Sequence, residues 1–339
     1  MREPATEGPR AGVIGPAACQ TWRMTADAQR GPGASGPVDL RTSMGVTEIA
    51  RDVLRVGGPD AVDYLQGQLS QDVAALAVGA SAPSFVLQPA GKVDAWLRVT
   101  RVADDEMVLD VDGGHGEALL GRLRRFLLRT KADVDLLAWR ALALRGPGAE
   151  AAGRGAVADL RVPAPWPGVE AVDLLGPDPQ APAGVAAAAA DAYAALRIRC
   201  GVPAMAAELT DATIPAEVGQ WVVDASVSLT KGCFTGQELV ARIDSRGGKV
   251  PRRLRGLDIG AASGAGRAAA GVPAGVEAGA PVVAGDDEVG RVTSVAPSPG
   301  GGAVGLAIVG RGVSPPAPVE VVAGDRRVPA ALVDLPFES

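Results

Sequence analysis

Lys231-Gly232-Cys233-Phe234-Thr235-Gly236-Gln237-Glu238, running on into Leu239-Val240-Ala241-Arg242, is the stretch on which the reading of this 339-residue chain turns. Thr235 and Glu238 have the spacing of a capping box: the threonine oxygen can accept from the Glu238 backbone N–H, and the glutamate can reach back to the N–H of Thr235. The apolar pair Leu239-Val240 follows at once, as where a helix begins. The spacing therefore predicts a helix opening at this run, with Cys233 just ahead of its N-terminus, where about half a positive charge gathers. Lys231 stands close by in sequence. Both effects favour a thiolate, so Cys233 is the candidate reactive group and Lys231 its candidate activator. Glu238 and Arg242 have the spacing of a helical ion pair. The same residues also describe a plainly capped helix in which Gly232 and Gly236 only let the chain turn.

Working upstream, Arg197-Ile198-Arg199-Cys200-Gly201-Val202-Pro203 comes first, then Thr213-Ile214-Pro215-Ala216-Glu217, then Val227-Ser228-Leu229-Thr230 leading straight into Lys231. In this order the blocks resemble the YgfZ-type folate-binding proteins, relatives of the glycine-cleavage T protein, an aminomethyltransferase. The Lys-Gly-Cys-aromatic-x-Gly-Gln-Glu run is that family's hallmark. Phe234 keeps the aromatic where tyrosine is common. A block this long is far more specific than a lone glycine fingerprint.

Two further stretches carry the likeness. Gly58-Pro59-Asp60-Ala61 through Tyr64-Leu65-Gln66-Gly67-Gln68-Leu69 reads as a helix with Ala61, Val62, Leu65 and Leu69 on one face. It looks like the family's Leu-Gln-Gly-Gln turn near the ligand cavity, which implies Gln66 and Gln68 as folate contacts. Pro89-Ala90-Gly91-Lys92 fits a type II turn. It resembles the family's Pro-x-Gly-Lys/Arg loop on the folate side, which implies Lys92. The resemblance further implies an α+β, glycine-cleavage T-like folate-binding fold around a central cavity, with a C-terminal β-barrel. Tetrahydrofolate or another reduced folate is the implied ligand. In the T-protein branch an acidic residue follows the counterpart of Arg197-Ile198 and holds the pterin; here it is Arg199. Arg199, Gln237, Glu238 and Arg242 are accordingly the remaining candidate folate contacts. The departure from the T-protein pattern favours the YgfZ branch, linked to folate-dependent assembly or repair of iron–sulfur clusters and, through cluster enzymes, to tRNA modification. A tetrahydrofolate-dependent aminomethyltransferase, or a non-catalytic scaffold for cluster-assembly partners, are the other readings.

Composition sets the bounds. Hydrophobic residues make up 47% of the chain and aromatics 3%, so Ala, Val and Leu must carry the burial. A net charge of −6 argues against direct nucleic-acid binding as a general property, though it leaves room for local basic patches. No apolar run reaches the roughly 20 residues a membrane helix needs. The cysteines, Cys19, Cys200 and Cys233, do not suggest a disulfide framework, which points to a reducing, cytoplasmic setting. With one histidine, His115, a histidine-rich metal site is excluded. No metal ligands are assigned.

The rest of the chain falls into order around these islands. Residues 1–40 read as a disordered extension, 41–250 as the folate-binding region and 251–339 as the barrel domain. Phe85-Val86-Leu87 and the alternating Val93–Thr100 predict a hairpin, with Asp94, Trp96, Arg98 and Thr100 on its polar face. Residues 117–130 predict an amphipathic helix with Leu119, Leu120, Leu123, Phe126 and Leu127 on its apolar stripe. Arg122, Arg124, Arg125, Arg129 and Lys131 on the other side form either a solvated face or an anion site. Residues 184–198 predict a helix. Arg246, Lys249, Arg252, Arg253 and Arg255 form a second basic cluster beside the central run, the better placed for an anionic partner. Short Val-rich runs from 252 onward suggest a small barrel. Gly264–Ala269 fits a dinucleotide fingerprint on paper, but no βαβ pattern surrounds it.

Overall fold

A computed structural model describes residues 39–260, 271–299 and 301–337. The expected extension up to residue 38, Cys19 and the Gly264–Ala269 run lie outside the described residues. Leu40, placed by sequence at the end of that extension, is instead buried among Leu196, Cys200 and Val202.

Among the described residues, the strands form two five-stranded sheets and a closed barrel. One sheet has the order β3 (Ser81–Leu87), β4 (Val93–Ala103), β5 (Glu106–Asp112), β2 (Arg51–Gly57), β6 (Asp133–Leu137). On one face of it, Ala95, Leu97, Val99, Leu54 and Leu109 pack with Leu65 of α1 (Ala61–Gln68) and Leu119 and Leu123 of α2 (Gly116–Arg124). The period of two in β4 makes this possible, since alternate residues share a face. The opposite face of β4, read from sequence as polar, is covered too: Arg98 and Thr100 are buried. It looks toward the second sheet, whose order is β10 (Ala186–Ala187), β1 (Gly45–Ile49), β7 (Arg140–Arg145), β9 (Ala171–Gly176), β8 (Leu160–Pro163). The short helix α3 (Ala149–Arg154) covers that sheet through Ala149 against Val172 and Leu174.

Two helices differ from their expected bounds. The helix expected over 117–130 stops at Arg124. The chain then turns, Arg129 takes a left-handed φ of 64°, and Phe126 is exposed with the Arg122 guanidinium stacked 4.2 Å from its ring centroid. The helix expected over 184–198 is α4 (Ala190–Arg199), because Ala186 and Ala187 pair with β1 as a strand. Then follow α5 (Gln220–Ser226) and α6 (Gln237–Ser245).

The barrel runs β11 (Arg252–Ile259), β14 (Ala303–Gly310), β13 (Asp287–Pro297), β12 (Pro281–Ala284), β15 (Ala317–Ala323), β16 (Arg326–Val333) and closes by pairing β16 with β11. Its interior is apolar, with Leu257, Ile259, Val282, Val321 and Leu332 among the buried residues. One core also joins barrel and sheets: Leu254, Val304 and Leu306 pack with Phe85, Ile198, Val222 and Phe234.

Candidate functional site

The three sequence islands meet. Lys231 Nζ donates to the carbonyls of Gln66 (2.7 Å), Leu69 (2.8 Å) and Gln71 (2.7 Å), at and just past the C-terminal end of α1. An ammonium has three N–H donors, and all three are engaged there. Cation and carbonyl ends of a helix attract one another, so this is a favourable seat for the charge. Burial nonetheless pushes the Lys231 ammonium down to about 8. The same loop is tied to α5, with Ser70 Oγ donating to the Ser226 carbonyl (2.7 Å) and Gln71 Nε2 to that of Ala225 (2.8 Å).

The Thr235 N–H donates to the Gly67 carbonyl at 3.3 Å. The expected Thr235–Glu238 capping box does not form. Gly236, with φ 81°, occupies the N-cap position instead, and the Phe234 N–H donates to the Gln237 side-chain oxygen at 3.2 Å. The reason lies in the hairpin. Gly91 (φ 76°) closes the Gln88–Lys92 turn, and a Cβ on it would stand 2.5 Å from Leu239 Cβ. A Cβ on Gly236 would stand 2.5 Å from the Gln88 carbonyl oxygen. The two glycines let the hairpin turn sit directly on the start of α6, and that contact, rather than a threonine cap, fixes where the helix opens.

Cys233 and Gly232 are exposed at this junction, whereas Phe234 is buried, its ring 5.3 Å from Lys231 Nζ. Glu238 and Arg242 are exposed, and no ion pair joins them among the described residues. Gln66 holds its own loop, donating to Asp72 (2.9 Å) and accepting from the Val73 N–H (2.9 Å). Gln68 accepts from Arg122 (3.0 Å), and Arg122 also reaches Asp94. Lys92 is exposed. Arg199 turns to the barrel, where it donates to Ser298 Oγ (2.9 Å) and lies 5.3 Å from the Phe337 ring centroid.

None of Gln66, Gln68, Lys92, Arg199, Gln237, Glu238 and Arg242 lines the cavity between the two sheets, and neither does Cys233. That hollow, of about 570 Å³ with its mouth included, has other walls. Trp96, Trp166, Tyr193 and Trp221 supply flat apolar surface, and Arg51, Arg98, Arg145 and Asp173 supply charge. Register explains the charges. Arg98 of β4 stands opposite Asp110 of β5, and Arg51 of β2 opposite Asp112. Arg98 donates to Asp110 Oδ1 (2.9 Å) and Oδ2 (3.0 Å), and Arg51 to Asp112 at 2.5 Å. Asp173, from the other sheet, lies 2.9 Å from Arg98 and 2.8 Å from Arg145.

One chain of ion pairs therefore crosses from sheet to sheet. Burial alone would raise the Asp173 pKa, but the Arg145 and Arg98 guanidiniums outweigh it and hold the carboxyl down at about 2. Asp173 is thus a charged acceptor at neutral pH with lone pairs left over. The Arg145 guanidinium stacks 4.3 Å from the Trp166 ring centroid. Among the described residues, the buried wall donors Arg145 Nε and Trp221 Nε1 have no hydrogen-bond partner. Sequence reading missed this site. The one available signal was Trp96 and Arg98 alternating on the face of β4 taken as polar.

A flat heteroaromatic ligand with donors and acceptors on its edge fits such walls: tryptophan faces to stack on, an ionised acceptor, and buried donors to satisfy. Among the described residues no group of three His, Cys, Asp or Glu side chains is placed to hold a metal ion, and no helix is long and apolar enough to cross a membrane.

Comparison with known proteins bears on both features. Residues 267–338 match the glycine cleavage T-protein C-terminal barrel domain. Over 209 residues, 58% of this chain, it is 28% identical to an uncharacterized protein of Haemophilus influenzae, covering 66% of that protein. It is 29% identical over 217 residues, 57% of the chain, to the tRNA-modifying protein YgfZ of Edwardsiella ictaluri, covering 65% of it. To the mitochondrial iron–sulfur cluster assembly factor IBA57 homolog of Chaetomium globosum it is 26% identical over 236 residues, 60% of the chain and 54% of that protein. The matches thus span just under two thirds, or about half, of these relatives' lengths. The crystal structure of the glycine cleavage system aminomethyltransferase T from Bartonella henselae superposes with a TM-score of 0.68 at 20% identity, covering 88% of each chain, a likeness of fold.

Proposed function

We propose that this chain, a YgfZ-type protein built on the glycine-cleavage T-protein fold, binds a reduced folate such as tetrahydrofolate and supports iron–sulfur cluster assembly or repair in the cytoplasm. Cluster-dependent enzymes, tRNA-modifying ones among them, are then its clients. The observation that carries the reading is the tryptophan- and arginine-walled cavity between the two sheets. Trp96, Trp166 and Trp221 would flank a pteridine. Asp173 would accept from its ring N–H groups, and the buried donors Arg145 Nε and Trp221 Nε1 would meet its acceptors.

The second part of the reading concerns the exposed sulfur. Cys233 stands at the surface beside α6, where a partner's sulfur species or cluster can reach it. Lys231 serves this group by position, holding the loop that carries it onto α1. Gln237 shapes the same turn through Phe234. The aminomethyl-transfer alternative calls for an acid where Arg199 stands, and Arg199 is turned to Ser298 and Phe337 of the barrel region.

Titration with tetrahydrofolate, followed by tryptophan fluorescence, tests the first part. Saturable binding is expected, weakened at least tenfold by Asp173→Asn. An unmoved signal would sink it. Cys233→Ala tests the second part: folate binding is expected to persist while cluster-enzyme activities in cells fall. Normal activities would remove the thiol from the mechanism.

A further inference from the structure

α6 presents two different faces. Val240 is buried in the core shared with the barrel, whereas Glu238, Ala241, Arg242 and Ser245 are exposed. Leu239 and Ile243, one turn apart, are only half-buried. They border a groove of about 360 Å³, mouth included, whose other walls include Ile214, Pro215 and Gly91. Asp244 is the one carboxylate in its lining, and no aromatic ring lines it.

The second basic cluster divides at this groove. Arg252 is matched by Glu217 at 2.8 Å and Arg255 by Asp334 at 2.6 Å, while Arg253 donates to the Gly248 carbonyl. Arg246 and Lys249 are exposed and make no ion pair among the described residues. The same holds for Arg242, one turn before Arg246, and for Lys92. Arg246 and Lys249 lie on either side of the glycines 247 and 248, and Lys92 follows Gly91; Gly248 and Gly91 both belong to the groove. Set against Glu238 and Asp244 of the same helix, the rim stays positive, in a chain whose net charge is −6. An apolar slot bordered by unmatched cations fits a protein segment that carries a large aliphatic side chain among carboxylates. It fits a nucleic acid poorly, since it offers no ring on which a base could stack.

The groove also lies close to the exposed sulfur. The Gly236 carbonyl oxygen is 3.2 Å from where a Cβ on Gly91 would stand. Cys233 is three residues before Gly236, a span of at most about 11 Å. We infer that this groove seats an acidic segment of the protein partner that meets Cys233. One aliphatic side chain of that segment enters beside Leu239, Ile243 and Pro215, and its carboxylates meet Lys92, Arg242, Arg246 and Lys249. Docking here deepens the reading of Cys233 as a partner's point of contact, and rests on that reading only for what the partner does.

The test is fluorescence anisotropy of a fluorescein-labelled polyglutamate peptide with one central leucine, titrated with the full chain. Exposed ion pairs are worth little singly, so several together allow about a tenfold preference over the same peptide with glutamine for glutamate. The preference is expected to fade as salt is raised. Serine in place of the leucine is expected to weaken binding about tenfold or more, the effect of burying one aliphatic side chain. Arg242→Gln, Arg246→Gln and Lys249→Gln combined are expected to abolish the glutamate preference. Asp244→Asn, which removes the acid from the lining, is expected to tighten the leucine peptide about threefold, a gain that misfolding cannot produce. Cys233→Ala is expected to leave the affinity unchanged, so failure of the thiol's role shows in cluster-enzyme activities and not here. No saturable binding, equal affinity for the leucine and serine peptides, a glutamate preference that survives the triple variant, or no gain from Asp244→Asn would each overturn the inference. So would a single-stranded RNA oligonucleotide that binds as tightly and displaces the peptide, which would make the rim a nucleic-acid surface.

Discussion

Lys231 is read from sequence as the neighbour of Cys233, while in the fold its ammonium is held by three carbonyls of a distant loop. From sequence it lay beside Cys233 and promised to stabilise a thiolate. In the fold its three donors close the carbonyl end of α1 and the turn after it. Sequence proximity could not reveal this, because Gln66, Leu69 and Gln71 are more than a hundred and fifty residues away. Lys231→Met leaves three partly buried carbonyls without donors, and unsatisfied groups cost roughly 1–3 kcal/mol each when water cannot reach them. A loss of about 3 kcal/mol is expected in urea unfolding, with faster proteolysis at residues 228–236. Lys231→Arg, which keeps donors, is expected to recover part of it. If Lys231→Met instead leaves stability intact and shifts only the pH profile of Cys233 alkylation, the lysine acts on the thiol and not on the loop. Asp173 makes a second residue-scale prediction. Its folded pKa, about 2, lies below the unfolded value of 3.8. The stabilisation is therefore fully present above about pH 4 and is lost as pH falls through 2, because the unfolded chain takes up the proton first. The contribution is roughly 2 kcal/mol. Asp173→Asn is expected to flatten the stability-against-pH curve between pH 4 and 2, and an unchanged slope would exclude Asp173 as the linked group.

At the scale of elements, the hairpin β3–β4 and helix α6 were both legible, and their contact was not. Alternation marked the strands, and the glycine in Pro89–Lys92 marked the turn. The helix was placed correctly to within a residue or two, but through a capping box that the chain does not use. What sets the boundary is the approach of Gly91 to Gly236 and Leu239, a contact between pieces distant in sequence. The same blindness hid the cavity. Arg51, Arg98, Arg145 and Asp173 each look like a solvent-facing charge on an alternating strand, and only the register that sets Arg98 opposite Asp110 turns them into a buried chain. Gly91→Ala probes the contact directly. A left-handed alanine costs about 1–3 kcal/mol, and the overlap with Leu239 costs a similar amount. A drop of about 3 kcal/mol is expected, together with faster alkylation of Cys233 as α6 loosens from the turn. Wild-type stability in this variant would mean that the turn and the helix are not held together by that approach.

The whole molecule couples its barrel to its sheets through charge as well as hydrocarbon. Sequence marks a change of character near residue 252, and the first barrel strand, β11, begins at Arg252 and pairs with β14. A change of character is not an energetic boundary, however. Arg197 of α4 donates to Glu208 (3.1 Å) and to Ser294 Oγ of β13 (2.7 Å), and Ser294 Oγ in turn donates to Glu208 at 2.5 Å. Glu208 also accepts from the Ala204 N–H (2.9 Å) and is almost wholly buried. The clamp lies alongside the core that Leu254, Val304 and Leu306 share with Phe85 and Ile198. Removing one partner of a buried pair leaves the other uncompensated, at about 3–5 kcal/mol. Glu208→Ala is expected to lose that much. Because the shared core persists, calorimetry should still show one transition, moved to lower temperature, with barrel and sheets unfolding together. Two separate transitions in this variant, the barrel melting apart from the sheets, would mean that the clamp and not the apolar core makes the described unit cooperative. The cavity between the sheets would then be stabilised from the sheets alone, and the tetrahydrofolate proposed for it would raise only the sheet transition, whereas a single cooperative unit must respond to the ligand as a whole.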